Sequence, residues 1–217
     1  MKKKILALAL ALPISAALAH DTSVNSSIEV ADGEQREGDL STVNGGIRIG
    51  DDVTIRGDCH SINGGIHVGR NSRVERLGSV NGGIEIEDGT WIRESVGSVN
   101  GRVTMGKDTR AGWVSAVNGP IRLSGAEIEK NISTVNGGIA LLQGSVVRGD
   151  IVVERPGRGW FGQDDDRKER PLKIEIADGS VVEGNILVED PDLPVEVFIR
   201  GGGRVNGKIE NARVIRD

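Results

Sequence analysis

Residues able to do chemistry are thinly scattered along this chain. A metal centre would have to draw on His20, His60 and His67, the only three histidines. An imidazole at a processed amino terminus, as His20 would be, suits copper, but the other two histidines lie inside repeat units and no ligand set is completed. The run Asp164-Asp165-Asp166 lacks the Gly and Glu spacing of a calcium loop and reads as a solvated face. Cys59 is alone, which excludes an intramolecular disulfide, and it occupies an aliphatic position, so a buried inert thiol is expected. Arg56-Gly57-Asp58 and Arg148-Gly149-Asp150 have the form of an integrin-binding tripeptide, yet both fall at the same point of a repeat and are explained by it.

Sugar chemistry on a repeat scaffold would gather carboxylates and bases from successive units on one face. The outward positions do not do so. One series reads Arg56, Glu75, Arg93, Glu129, Arg148, Glu183, and its alternating sign neutralises stacked neighbours. A second, Arg48, His67, Glu85, Thr104, Arg122, Ala140, is equally mixed. No catalytic, metal-binding or cofactor-binding residue is therefore assigned, no cofactor is expected, and the chain reads as a non-enzyme. The residues left for recognition are aromatic. Trp160-Phe161 sits in a Gly/Pro-bearing loop with Arg155, Arg158 and Arg167, while Trp91 and Trp113 point outward by strand alternation; these four form a candidate contact or sugar-stacking patch.

The element that positions them is a repeat. Asn25, Asn44, Asn63, Asn81, Asn100, Asn118 and Asn136 recur at intervals of 18 or 19 residues, each preceded by Val or Ile. That period is too short for helical repeats or propeller blades, and it fits one coil of a β-solenoid. Pairs such as Ile47 and Ile49, Ile66 and Val68, and Ile84 and Ile86 alternate at period two and share one strand face. A second aliphatic column holds Leu40, Cys59, Leu77, Val96, Val114 and Ile132. A third holds Ile55, Ile92, Ile128, Val147, Val182 and Val205, with Val74 and Ala111 one step off in shortened coils.

These columns predict an all-β, single-stranded, right-handed parallel β-helix of roughly nine coils stacked at about 4.8 Å. The seven asparagines are expected to form a structural ladder of side-chain amides. The glycines that follow them, Gly45, Gly64, Gly82, Gly101, Gly119 and Gly137, are expected to supply positive φ at the corner. Val43, Ile62, Val80, Val99, Val117 and Val135 have two open placements: an exposed ridge by strict alternation, or tucked inward by a bend.

Lys2-Lys3-Lys4, the apolar run Ile5 to Leu12 and the small residues ending at Ala19 read as a secretory signal peptide, residues 1–19. Residues 20–217 then form one solenoid domain with a loop insertion at 154–171. Loss of three lysines leaves 24 basic against 32 acidic residues, a net charge of −8, which disfavours nucleic acid as a partner. No later stretch suffices for a membrane span. Export to the periplasm or beyond is expected, with a protein or polysaccharide of the cell envelope as partner.

The unit Ser79 to Ile86, Ser-Val-Asn-Gly-Gly-Ile-Glu-Ile, and its counterpart Thr134 to Leu141 resemble a bacterial adhesin-like β-strand-repeat family of unknown function. The segment Ile174 to Ile186 resembles the coils of bactofilins, polymer-forming β-helices. Together the resemblances imply a structural or adhesin-like scaffold. A homo-oligomer joined through solenoid ends is a second reading, and a carbohydrate-binding or carbohydrate-acting protein a third.

Overall fold

A computed structural model describes residues 19–155 and 171–217. Residues 1–18 of the expected leader and the segment holding Trp160, Phe161 and the Asp164-Asp165-Asp166 run lie outside the described residues. All regular structure described is β-strand, arranged in two sheets whose paired strands run parallel. The solenoid class read from the repeat period is thus the observed one.

One sheet has ten strands in strict chain order: Ile28–Val30, Ile47–Ile49, Ile66–Val68, Ile84–Ile86, Val103–Met105, Ile121–Ser124, Ile139–Leu142, Leu172–Ile176, Val195–Ile199 and Arg213–Arg216. Ten strands mean about ten turns, against the nine expected. The additional strand is Arg213–Arg216, whose Val214 and Ile215 are bracketed by arginines and so lack the Ile-x-Ile signature.

The remaining two legs of each coil belong to a fifteen-stranded sheet. In the middle coils both legs form one continuous strand, as in Thr54–Ser61, Arg73–Ser79, Trp91–Ser98 and Arg110–Ala116. Later coils split into pairs such as Val146–Val147 and Ile151–Val153. The middle coils differ by one residue in length, and the difference is absorbed as a register shift at the bend between the legs, between Ile55 and Asp58 and again between Ile92 and Ser95. Val74 and Ala111 are therefore not out of step. They pair directly with Ile55, Ile92 and Ile128 and are buried in the same column.

The three aliphatic columns meet along the axis as one core, from Val30 to Ile199. Each side chain packs between the equivalent side chains of the coils before and after it. A fully buried Val or Ile contributes roughly 1.5–3 kcal/mol before chain entropy is subtracted. The inward position just before the Val-Asn-Gly corner holds Thr42, Ser61, Ser79, Ser98 and Thr134, all buried. Their hydroxyls are satisfied locally. Ser61 Oγ donates to the Gly45 carbonyl of the preceding coil at 2.9 Å and accepts from the Gly64 N–H at 3.0 Å, and Ser79 repeats the pattern with Gly64 and Gly82. A hydroxyl here meets one carbonyl and one N–H of the corner that the sheet does not reach, although Ala116 fills the same column without one.

The glycines after the asparagines serve a different purpose from the one expected. None of the six has positive φ. A Cβ built on Gly64 would instead overlap the Gly45 carbonyl of the coil below, and one on Gly101 would overlap that of Gly82. The requirement is axial clearance between coils. Left-handed backbone is concentrated at a third corner, after each strand of the ten-stranded sheet, where Asp52, Asn71, Asp108, Gln143 and Asp178 have φ between 53° and 57°. Asp and Asn tolerate this region better than other side chains, so the corner is chemically varied and harder to recognise in sequence.

Candidate functional site

The asparagine ladder is complete. Nδ2 of Asn44 donates to Oδ1 of Asn25 at 2.8 Å, and the pattern continues through Asn63, Asn81, Asn100 and Asn118 to Asn136, every step between 2.6 and 2.8 Å. The amides stand on the exposed edge of the corner and not inside it, so each keeps polar capacity toward solvent. Beside them Val43, Ile62, Val80, Val99, Val117 and Val135 are all half-buried. They point outward, and stacking of like on like covers their flanks, an outcome between the two placements the sequence allows.

A second Asx series, unrecognised in the sequence, runs along the bend between the two legs. Asp39 Oδ1 accepts from the Asp58 N–H at 2.8 Å, Asn131 from Asp150 at 2.9 Å, Asp150 from Asn185 at 2.7 Å and Asn185 from Lys208 at 2.8 Å. Both Arg-Gly-Asp tripeptides are absorbed by it. Arg56 pairs with Glu37, and Arg148 with Glu127 at 2.6 Å, so the charged ends of both tripeptides are engaged within the coil stack. The outward charge series behaves as read, with Arg93 3.3 Å from Glu75.

Asp58, His60, Arg76 and Glu94 form a polar cluster at the bend and the start of the second leg. The Asp58 carboxyl is held below its usual range by His60 and Arg76, against the opposing effect of burial. His60 Nε2 lies 3.8 Å away, longer than a hydrogen bond, and the 2.6 Å bond from Arg76 is the firmer contact. Arg76 also reaches Glu94 on the next coil. Cys59 is fully buried beside this cluster, and burial, with the charges of Asp58 and Asp39, pushes its thiol pKa strongly up, which leaves it unreactive. Among the described residues no group of three His, Cys, Asp or Glu side chains is placed to hold a metal ion.

Besides a hollow of about 400 Å³ over the last coil, lined by Arg200, Arg204, Asn206 and Arg216, two concave surfaces cross several coils. The first lies on the outer face of the ten-stranded sheet. Gly46, Gly65 and Gly83 stack in one outward column, and their missing side chains leave a groove of about 490 Å³ walled by Arg48, His67 and Glu85. It continues past Arg102 and Thr104 into a stretch of about 700 Å³ over Pro120, Gly138 and Ala140, ending at Lys173 and Glu175. His67 lies 3.5 Å from Glu85 and 3.3 Å from Glu87, whereas Arg48, Arg102 and Arg122 form no ion pair among the described residues. The sequence signal for this groove was the second glycine of each Asn-Gly-Gly.

The second surface is a cleft of about 450 Å³ on the first leg, where Trp91 meets Gln35, Thr54, Arg56, Arg73, Glu75 and Arg93. Trp91 is 39% exposed and is the only exposed aromatic ring among the described residues. Trp113, on the next coil, is half-buried and lies beyond the bend, opposite Ser95 of its neighbour, with an indole N–H that is buried and unpartnered among the described residues. The structure therefore does not bring Trp91 and Trp113 into one patch, because the bend turns their columns apart. Trp160 and Phe161 lie outside the described residues.

The fold defines the class as a parallel β-solenoid repeat protein. Comparison with protein families, with curated proteins and with solved structures finds no match.

Proposed function

We propose that this protein is a non-enzymatic, exported scaffold of the bacterial envelope that acts, in an adhesin-like way, by presenting its side faces to an extended partner. The observation that carries this reading is the groove along the ten-stranded sheet. Its floor of Gly46, Gly65 and Gly83 crosses successive coils, and beside Glu29, Glu85 and Glu175 its walls hold Arg48, Arg102 and Arg122, which form no ion pair among the described residues, a shape and charge suited to a long chain lying parallel to the solenoid axis. The leader-like residues 1–19 and the resemblance of the Asn-Gly-Gly units to adhesin-like repeats support the same reading.

Two measurements test it together. Expression in a Gram-negative host should yield a product beginning at His20 by intact-mass analysis and recovered with the periplasm or medium. The purified product should then cosediment with isolated envelope, and replacing Arg102 and Arg122 by Gln should reduce that binding. Retention of the leader in the cytoplasm, or binding indifferent to both arginines, would refute the proposal. Assembly through strand edges is the competing reading. It requires a concentration-dependent series of large species in sedimentation velocity, where side-face recognition requires one elongated species.

A further inference from the structure

We infer that the cleft around Trp91 is a subsite for an acidic sugar unit of a polysaccharide, whose ring stacks on the indole and whose carboxylate is held by Arg73. The inference deepens the scaffold reading and rests on it for the nature of the partner, an extended polymer of the envelope.

Three observations on one patch carry it. The first is the exposure of Trp91, the most open of the described aromatic rings, Trp113 and Phe198 being half-buried. An indole costs free energy to leave in water, and a flat π-face at a surface is suited to the C–H face of a pyranose ring. The two cation–π contacts among the described residues both fall on Phe198, so none of the described guanidinium groups lies over the Trp91 ring.

The second is the state of the charges around it. Trp91 pairs in register with Arg73 on the preceding coil and Arg110 on the following one, each about 4.8 Å along the axis. Arg110 is engaged with Glu127 at 3.3 Å, Arg93 with Glu75 at 3.3 Å, and Arg56 with Glu37. Arg73 makes no ion pair among the described residues. The guanidinium next to the open ring is thus the uncommitted one, and its planar fork matches a carboxylate in two parallel hydrogen bonds.

The third is the remainder of the cleft. Gln35 and Thr54 stand in the same outward column as Arg73 and Trp91 and offer neutral donors and acceptors for ring hydroxyls. A nucleotide would also satisfy one aromatic ring and one arginine. The chain carries a net charge of −5, however, and Glu75 lies in the cleft itself. A polyphosphate needs an extended run of cations, whereas a polymer bearing one carboxylate per sugar needs one arginine per subsite.

The test uses residues 20–217 and isothermal titration calorimetry with three probes: a galacturonate oligomer, the same oligomer methyl-esterified, and oligothymidylate. Galacturonate should bind, and esterification, which removes the charge and keeps the ring, should weaken binding about tenfold or more, as loss of a charge-assisted pair does. Trp91→Ala and Arg73→Gln should each produce a loss of similar size, and Trp113→Phe should produce none, with far-UV circular dichroism showing intact coils. The inference is overturned if galacturonate fails to bind, if the ester binds equally, if both cleft variants leave affinity unchanged, or if oligothymidylate binds more tightly. Any of these results, with export and envelope binding intact, removes the sugar subsite and spares the scaffold reading. Correct sugar binding in a protein that is not exported does the reverse.

Discussion

Gly64 and Gly65 are adjacent in sequence and equivalent on any propensity scale, yet they should respond very differently to alanine. A Cβ on Gly64 would sit inside the van der Waals surface of the Gly45 carbonyl, with the Gly45 carbonyl carbon and Gly46 nitrogen also closer than any real Cβ contact. The obstacle is backbone, so no side chain can swing away. Relief requires the coils to part locally, which would lengthen the Asn63–Asn44 bond and the neighbouring sheet bonds. A Cβ on Gly65 meets only Gly83, its carbonyl oxygen at 3.1 Å and its nitrogen at 3.9 Å, which a shift of a few tenths of an ångström accommodates. Overpacking against an unyielding neighbour costs about 1–3 kcal/mol and sometimes more, and the Gly64 site belongs at or above the top of that range. Gly65→Ala should cost less than about 1 kcal/mol, since alanine also restricts the unfolded chain and offsets part of the strain.

The assay is guanidinium unfolding of residues 20–217, followed by far-UV circular dichroism. Midpoints are compared directly, because a solenoid need not unfold in one step. Gly64→Ala should lower the midpoint clearly and Gly65→Ala should barely move it. Equal effects at the two positions, or a larger one at Gly65, would show that clearance between coils is not what selects glycine after asparagine.

Other consequences can be measured on the same protein. Asn81→Ala removes one bond to Asn63 and one from Asn100, and should cost about 1–3 kcal/mol at roughly 0.5–1.5 kcal/mol per bond, read as a fall in the denaturation midpoint. The Asn-Gly steps should form isoaspartate slowly in native protein and quickly once unfolded, and rapid formation in the native state would contradict the ladder. Cys59 should resist a thiol reagent until the coils open. Its pKa is raised in the folded state, so above the unfolded thiol value of about 8.5 the unfolded chain binds fewer protons than the native one, and stability should fall by about 1.4 kcal/mol per pH unit. Cys59→Val should abolish that slope, and its persistence would assign the effect elsewhere.

The fold was legible wherever one residue type answers one requirement. Aliphatic columns such as Leu40, Cys59 and Leu77 can hardly be anything but stacked core, and asparagine at a fixed phase can bond to its own copy. Where several residues meet one requirement, the sequence blurs. Asp52, Asn71, Asp108 and Gln143 all serve the left-handed corner, so no repeated letter marks it. Glycine shows the converse difficulty, since one letter answers two requirements, and sequence alone could not separate positive φ from clearance at Gly64. The surface was least legible. The adjacency of Trp91 and Arg73 depends on a register that shortened coils restore only at the bend, and the same bend separates Trp91 from Trp113.

Because the amide ladder spans Asn25 to Asn136 and stops there, the rod is unevenly fastened along its length. Every coil is joined to the next by bonds that lie along the axis, so a pull on the chain ends loads those bonds one coil at a time, as a seam is opened stitch by stitch. Each released coil of about 18 residues would add roughly 60 Å of slack at about 3.4 Å per residue. The later coils, which lie beyond the Asn25–Asn136 ladder and are bridged at the bend by Asn131, Asp150 and Asn185, would give first. A molecule built this way extends under load in steps and keeps its amide-fastened portion intact, which is the behaviour of a shock absorber and not of a rigid strut.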